Sequence, residues 1–453
     1  MTIVHMALAS LMVIVTVLGS FSAAVASGGS RRAQTDADYT PFERFEPLAA
    51  SATCVPGGNQ TQPFRVPPGY RQDIVAVENF AADRTRDLWD MNTHNESGKD
   101  AGRYLYRTHE VGAGTTTDPR TDPNGSQVSV VDLETGDVTI LAERPDWERF
   151  DGIVWTPWGT ILAAEETRVA QARDLQVPQA TAGLVCEFFV DADDPTRLDP
   201  SRERITLGDG TNDNVRDGVR ARPALGSKSH EGMRFDKQGN HYGISEVNGG
   251  AIYRFQPSRR NDLARGRLQA LKTPNGRTGQ GVWVNLDDRA VQVDADAEAQ
   301  RVGANGYERP EDVETTTSTG KDRNNGGNTL YVAVTGAGFN QTGTPGNVFA
   351  VDLSSRQRPF IYAYAGPEAG NATFPDFQSP DNLALDAKGN LAISEDPGGV
   401  FPVKSAGDDV WIAAPPRSDD DDDDDSQDDG KRRRPALTVQ RFASLTDCDA
   451  EPT

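Results

Sequence analysis

Short apolar runs that alternate with polar residues, and that meet in pairs at tight turns, recur along the chain. One pair spans residues 127–142 and turns at Glu134-Thr135-Gly136-Asp137, and further pairs lie at 152–164, 232–244, 346–362 and 383–393. Alternation of this kind is typical of half-buried β-strands, and a short polar or Gly-containing connection between two such runs is typical of a hairpin. No long segment of the sequence keeps a helical period. The pattern therefore predicts an all-β protein.

The hairpins carry a repeated acidic residue. Asp151, Glu231, Glu311 and Asp381 each head a hairpin, and their positions are almost evenly spaced along the chain. If one blade of a β-propeller takes about 40 to 45 residues, each step spans about two blades. We therefore predict a single β-propeller domain over residues 60–445, with six blades.

Three of the hairpins also end in acids, which are Glu165 with Glu166, Glu246 and Glu395. In a propeller, equivalent strand ends surround the mouth of the central channel. Carboxylates that converge there repel one another unless they are protonated or share a cation. Oxygen ligands suit calcium, so the pattern predicts a metal site. The alternative interpretation is that these acids are independent loop residues of a protein that is acidic throughout.

The composition narrows the classes of partner. The chain has 453 residues, 68 of them acidic and 46 basic, which gives a net charge of -22. Phosphate backbones need a basic surface, so the balance excludes nucleic acid as an expected partner. Only three Cys and five His are present, which disfavours a thiolate or imidazole metal cluster.

The ends of the chain differ from its body. The apolar run 7–18, followed by the A-x-A-like end Ala24-Val25-Ala26, predicts a signal peptide over residues 1–26 and hence a secreted or periplasmic protein. Residues 27–59 are predicted to be a flexible lead-in and residues 446–453 a C-terminal tail. The aspartate-rich stretch 418–430 is predicted to be a low-complexity loop within the propeller. No later segment is apolar over a length that spans a membrane.

The three cysteines allow one disulfide. Cys54 and Cys448 flank the body, so a bond between them could join the ends of a closed fold, and three buried thiols is the alternative. Cys186 lies in an apolar segment and is predicted to be part of the core.

Five short segments together resemble the PhoX-type secreted alkaline phosphatases and their relatives. They are Thr156-Pro-Trp-Gly-Thr160 through Glu165-Glu166, Ser229-His-Glu231, Glu308-Arg-Pro-Glu-Asp-Val313, Ser379-Pro-Asp-Asn-Leu383 and Thr108-His-Glu110. The resemblance covers roughly residues 100 to 415. It implies a β-propeller phosphomonoesterase whose central site holds calcium and ferric iron, with a small phosphate ester as substrate.

The resemblance also implies roles for single residues. Arg309 would clamp the phosphate, and Arg309, Glu311 and Glu231 would be the catalytic residues. The resemblance and the hairpin repeat, which adds Asp151, together give the expected metal ligands: Glu110, Asp151, Glu165, Glu166, Glu231, Glu311, Asp381 and Asn382. Where the family pattern places a Cys before the paired Glu to bind iron, this chain has Ala164, whose methyl group cannot ligate. We therefore expect calcium at the site and little iron.

Two other functions are compatible with the same residues. The first is a calcium-bound propeller without catalytic activity that binds an anionic ligand or partner, and the missing thiol at position 164 favours it. The second is another hydrolase with an acidic propeller mouth, such as a lactonase or a phytase-like enzyme, although the order of the motifs favours the phosphatase. We expect the protein to be a monomer.

Overall fold

The computed structural model describes most of the predicted propeller. The described residues are 42, 45–77, 85, 88–98, 100–112, 125–170, 174–203, 206, 208–212, 216–274, 276–316, 328–336, 345–355, 357–386, 388–396, 406–414, 437–448, 450 and 452. The predicted signal peptide and the aspartate-rich stretch lie outside them.

The chain forms antiparallel sheets that follow one another along the sequence, after a short strand β1 (Phe64–Arg65). Blade 1 contains β2 (Trp89–His94), β3 (Tyr104–His109), β4 (Gln127–Asp132) and β5 (Val138–Glu143). Blade 2 contains β6 (Phe150–Trp155), β7 (Ile161–Glu165), β8 (Val185–Phe188) and β9 (Val219–Ala221). Blade 3 contains β10 (Met233–Phe235), β11 (His241–Ile244), β13 (Ile252–Pro257), β14 (Gly266–Lys272) and β16 (Val282–Asn285). Two short strands within this part of the chain, β12 (Asn248–Gly250) and β15 (Gly279–Gln280), pair outside blade 3.

Two further blades complete the series, and both take an edge strand from elsewhere in the chain. After β17 (Tyr307–Glu308), which pairs with β12, blade 4 contains β18 (Pro310–Thr315), β19 (Thr329–Val334), β20 (Asn347–Asp352) and β21 (Phe360–Ala365), and β15 lies at its edge. Blade 5 contains β22 (Pro380–Leu385), β23 (Leu391–Glu395), β24 (Asp409–Ala414) and β25 (Thr438–Leu445), and β1 pairs with β25. In the described connections, one α-helix is present, α1 (Ala295–Val302), together with three 3-10 turns, Pro200–Arg202, Pro223–Leu225 and Pro367–Ala369.

The prediction of an all-β propeller is confirmed, but the prediction of six blades is wrong, because the described residues form five. The error came from the assumed length of a blade. Each step from one heading acid to the next is one blade rather than two, because the connections are long. In blade 2, for example, β8 ends at Phe188 and β9 begins only at Val219.

Apolar side chains fill the spaces between successive blades. Buried clusters join blades 1 and 2, 2 and 3, 3 and 4, and 4 and 5. Cys186 is fully buried in the first of these clusters, as predicted. Such packing between faces explains why most strands of blades 2 and 4 are buried along nearly their whole length.

The chain ends are held together at blade 5. Cys54 and Cys448 form a disulfide, which confirms the first of the two alternatives for the cysteines. Residues 45–59, assigned to the lead-in by sequence, lie against this blade; the amide of Leu48 donates to the carbonyl of Arg441 at 3.0 Å. Among the described residues, no helix has the length and apolarity that a membrane crossing needs.

Candidate metal centre

One acidic residue enters the central channel from each of the five blades. We call these residues the inner ring, and they are Asp90, Asp151, Glu231, Glu311 and Asp381. In blades 1, 2, 4 and 5 the acid is the second residue of the first strand, and the strand pairing slips by one residue at that position. A bulge of this kind re-aims the side chain that it carries. The repeated bulge therefore turns each of these four acids out of the sheet register.

A repeated backbone hydrogen bond fixes the segment before each acid. The carbonyl two residues before the acid accepts from an amide just beyond the end of the second strand, at 2.8 to 3.1 Å in all five blades. The carbonyls belong to Leu88, Arg149, Ser229, Arg309 and Ser379. All but Ser229 have a left-handed backbone, with φ from 43° to 56°. Left-handed backbone at a residue with a side chain is strained, by roughly 1–3 kcal/mol, and persists only where its surroundings hold it. This strain is typical of a functional site.

Three of the inner-ring carboxylates converge at buried positions. Oxygens of Glu231, Glu311 and Asp381 lie within 4.8 Å of one another, and these side chains are 4%, 1% and 6% exposed. Within the described part of the chain, Asp151 Oδ1 and Glu311 Oε2 are buried and accept no hydrogen bond. Buried carboxylate oxygens without donors are costly, and a cation satisfies them. The ring therefore fits a metal ion held by oxygen ligands.

The pKa values of the inner-ring acids agree with a metal site. Burial raises the pKa of Glu231 well above its ordinary range, and repulsion from Glu311, Asp151 and Asp381 raises it further. Burial likewise raises the pKa of Asp90, Asp151 and Asp381, and neighbouring acids add to the effect. The pKa of Glu311 is raised to about 7 by burial, against the opposing effect of Arg309. Without a cation the ring therefore holds protons at neutral pH.

A second set of residues surrounds the inner ring. These residues, which we call the outer ring, donate the amides of the repeated hydrogen bond, and they are Glu110, Glu166, Glu246, Thr335 and Asp396. Four of the five positions are acidic, and blade 4 alone has a neutral residue there. The hydroxyl of Thr335 donates to Glu311 Oε1. Among the five described blades, blade 4 is therefore the one whose outer-ring residue carries no carboxyl group.

Two outer-ring carboxylates share a proton. Burial raises the pKa of Glu166 to about 12, and a hydrogen bond with Glu246 contributes. Burial also acts to raise the pKa of Glu246, but the hydrogen bond with Glu166 and the charges of Arg309 and Arg168 outweigh it and hold that pKa below its ordinary value. Glu166 is thus the protonated partner and Glu246 the ionised one.

Arg309 lies between the two rings on blade 4. Its Nε is 2.8 Å from Glu246 Oε1 and 3.1 Å from Glu311 Oε1. The side chain is 19% exposed, so it borders the channel mouth. A guanidinium in this place can bind a phosphate with two parallel hydrogen bonds beside the inner-ring carboxylates.

Two predicted ligands, Glu165 and Asn382, do not join the rings. Glu165 accepts from the amides of Glu148 and Leu184, both at 2.8 Å, so it supports the turn before Asp151 instead. Glu395 makes the equivalent contact in blade 5, accepting from the amide of Gln378 at 2.8 Å.

Asn382 is the other predicted ligand outside the rings. Its side chain lines a cavity of about 330 Å³ together with apolar residues such as Val410 and Phe442. The backbone N–H of Asn382 donates to Ser394 Oγ at 3.1 Å.

Ala164 does not border the rings. It is fully buried in the apolar cluster between blades 2 and 3, with Val154, Leu225 and Met233. A side chain at this position points away from the channel, so alanine here removes no ligand from the site. The expectation that Ala164 weakens iron binding was therefore based on the wrong position.

The sequence missed three members of the rings. Asp90 begins the same type of hairpin as Asp151, but the connection from Asp90 to Glu110 is longer than the one from Asp151 to Glu166. The longer connection concealed the repeat. Thr335 was missed because it is not acidic, and Asp396 because it adjoins Glu395, which was taken as the end of that hairpin.

The sequence matches a known protein family. Residues 154–428, more than half of the chain, match the family described as alkaline phosphatase PhoX. The chain belongs to this family. It is thus an alkaline-phosphatase-like protein, and the resemblance found from the sequence is confirmed. No curated protein matches the sequence.

Among solved structures, PhoX of Pseudomonas fluorescens, in complex with vanadate as a transition-state analogue, is similar at 16% identity, with a TM-score of 0.55 over 89% of each chain. This likeness supports the propeller fold of a PhoX family member. The periplasmic gluconolactonase of Pseudomonas aeruginosa is less similar, at 12% identity and a TM-score of 0.40 over 85% of this chain and 91% of that one. A likeness this weak carries no argument for a lactonase.

Proposed function

We propose that this member of the PhoX family is a secreted, calcium-dependent phosphomonoesterase that acts on small phosphate esters at the channel mouth. The observation that carries the proposal is the convergence of Glu231, Glu311 and Asp381 beside Arg309. Carboxylates alone would repel an anionic substrate. Carboxylates that hold cations, next to a guanidinium, would attract one.

The proposed metal ligands are the five inner-ring acids, with Glu110, Glu166, Glu246 and Asp396 as further candidates. An all-oxygen donor set suits hard cations such as calcium, and ferric iron is also hard. When bound, such cations withdraw charge from a phosphoryl group and lower the pKa of water. Glu165 and Asn382 are not part of the proposed set, because their contacts lie elsewhere.

The protein residues would bind and orient the ester. Arg309 would hold two phosphate oxygens, and its contacts with Glu246 and Glu311 fix the direction of its guanidinium.

Export is also part of the proposal. The disulfide between Cys54 and Cys448 is typical of an oxidising compartment, which agrees with the signal peptide predicted from the sequence. The overall charge of -22 supports a small substrate rather than nucleic acid. The non-catalytic alternative rested on Ala164, and the location of that residue removes its support.

The test is hydrolysis of p-nitrophenyl phosphate by purified protein with calcium, with and without iron, and after EDTA treatment. We expect Arg309→Ala to lower turnover by about 100-fold or more, because the clamp acts on charge in the transition state. Arg309→Lys should not restore it, since an ammonium lacks the planar fork. Arg168→Ala is the matched control, because Arg168 also approaches Glu246, at 3.6 Å, but is 56% exposed. Equal activity in the Arg309→Ala and Arg168→Ala proteins would contradict the proposal, as would full activity in EDTA.

A further inference from the structure

The Thr156-Pro-Trp-Gly-Thr160 segment lies far from the metal centre. It forms the turn between β6 and β7, at the opposite end of these strands from Asp151 and Glu166. The amide of Thr156 donates to the carbonyl of Thr160 at 2.8 Å, and Gly159 provides the left-handed backbone, with φ 78°, that the turn needs. The proposed phosphatase chemistry gives this turn no role.

Trp158 and Thr160 of this turn line a groove of about 880 Å³ between blades 2 and 3. The opposite wall is formed by residues 259–264, which connect β13 and β14. Ligand-binding clefts typically have volumes of about 300–1,000 Å³, so the groove has room for a small organic molecule.

Arginines dominate the charge of the groove. Five line it: Arg202, Arg216, Arg222, Arg259 and Arg260. The acids in its lining are Glu187, Glu203 and Asp262. In a protein with a net charge of -22, such an excess of positive charge in one groove is unusual. General solubility does not require it, because a surplus of acids already keeps the protein soluble.

The two glutamates of the groove are already neutralised by buried arginines. Glu187 accepts from Trp158 Nε1 and Thr160 Oγ1, both at 2.8 Å, and from Arg222 Nε at 2.7 Å. Glu203 is paired with Arg220, which is fully buried outside the lining. The turn at residues 156–160 thus forms the floor of the groove together with these residues, and an arginine compensates the charge of each glutamate.

The remaining arginines have no such compensation. Arg202 donates to the carbonyls of Val190 and Gly159, and Arg216 donates to the carbonyl of Glu203. Arg259 and Arg260 are exposed at the edge, and no carboxylate of the described residues lies within ion-pair distance of either. Among the described acids that line the groove, Asp262 alone is left to oppose these four charges, and its Oδ1 accepts from the amide of Ala264. The groove therefore has a surplus of positive charge on a preformed floor.

We propose that this groove is a second binding site, which takes a small molecule bearing several anionic groups such as phosphates, sulfates or carboxylates. Guanidinium groups bind these oxyanions with paired hydrogen bonds, and four arginines around one groove match several such groups at once. The site lies at the opposite end of the blades from the rings. It does not depend on whether the metal centre is catalytic.

The test is calorimetric titration of the calcium-loaded protein with sucrose octasulfate, a polyanion that a phosphomonoesterase does not hydrolyse. Wild-type protein should bind about one equivalent. The double variant Arg259→Glu/Arg260→Glu should bind about 100-fold more weakly, because each reversal replaces an attraction with a repulsion. The control Arg65→Glu/Arg289→Glu makes the same change of charge at two other exposed arginines and should bind like the wild type.

A second measurement shows where the probe binds. Hydrogen exchange should slow at residues 156–160 and 258–264 when sucrose octasulfate is added, and Arg309→Ala should leave this protection unchanged. Equal affinities in the two double variants would overturn the proposal, and so would protection confined to the segments around the rings. Loss of phosphatase activity in any variant would not bear on it, because binding is measured separately from turnover.

Discussion

The neutral outer-ring residue, Thr335, predicts the side from which the phosphate enters. Four of the outer ring's five members are acidic, and Thr335 occupies the fifth position on the same blade as Arg309. An anion that approaches the channel mouth meets an outer-ring carboxyl group on each of the other four described blades but not on this one. We therefore expect the phosphate to enter and bind on the side of blade 4, and Thr335→Asp to close that side.

The magnitude follows from the contacts of Thr335. Its hydroxyl donates to Glu311 Oε1, and its amide donates to the carbonyl of Arg309 at 2.9 Å. An aspartate there would lie beside both the clamp and the inner ring. At an effective dielectric constant of about 20, a new charge about 5 Å from a singly charged anion repels it by about 3 kcal/mol. This corresponds to a roughly 150-fold rise in KM.

The assay is the concentration dependence of p-nitrophenyl phosphate hydrolysis, together with the calcium content of the same samples. Thr335→Asp should raise KM by about two orders of magnitude while calcium is retained, because an added carboxylate attracts cations. Thr335→Val is the matched control for size, since it removes the hydroxyl without adding charge. A calcium-loaded Thr335→Asp protein with the KM of the wild type would refute the idea that this gap admits the substrate.

Three other outcomes are expected. In EDTA the melting temperature should fall as pH rises from about 4.5 through 7. The pKa of Glu311 in the folded protein, about 7, lies above its ordinary 4.5, so the folded protein binds the extra proton in this range. With calcium the fall should be absent, and a fall of equal size would contradict a metal site at the inner ring. Glu165→Gln should lower the free energy of unfolding by about 1–3 kcal/mol in a denaturant titration, because the carboxylate accepts two backbone amides, yet leave the metal content unchanged. Ala164→Cys should not raise the iron content measured by mass spectrometry, because position 164 faces an apolar cluster, and a clear rise would restore the thiolate argument.

The sequence predicted the propeller and much of the site because the fold repeats its chemistry. Equivalent strand starts carry equivalent acids, so Asp151, Glu231, Glu311 and Asp381 could be recognised from their spacing alone. The number of blades could not be recognised in this way, since the spacing measures a blade with all its connections. Residues that lie outside the described part of the chain, such as the signal peptide and the aspartate-rich stretch, remain predictions.

The sequence also could not show which of two adjacent acids belongs to a ring. Glu165 and Glu166 are neighbours, and a shift of one residue decides which of them reaches the channel. Strand β7 ends at Glu165, whose carboxyl group accepts from the amides of Glu148 and Leu184, and Glu166 is the first residue beyond the strand. The arginine groove was hidden for another reason. Its walls come from connections that are far apart in the chain, and only the fold brings them together.

The central claim is that the inner ring binds metal ions. Its most direct test is the metal content of purified protein, measured by inductively coupled plasma mass spectrometry after dialysis against metal-free buffer. The account predicts stoichiometric calcium in the wild type and a marked loss in Glu231→Gln and Asp381→Asn. The control Asp288→Asn, which removes one exposed charge away from the ring, should keep the wild-type content. A wild-type protein free of metal, or equal calcium in all four proteins, would contradict the account.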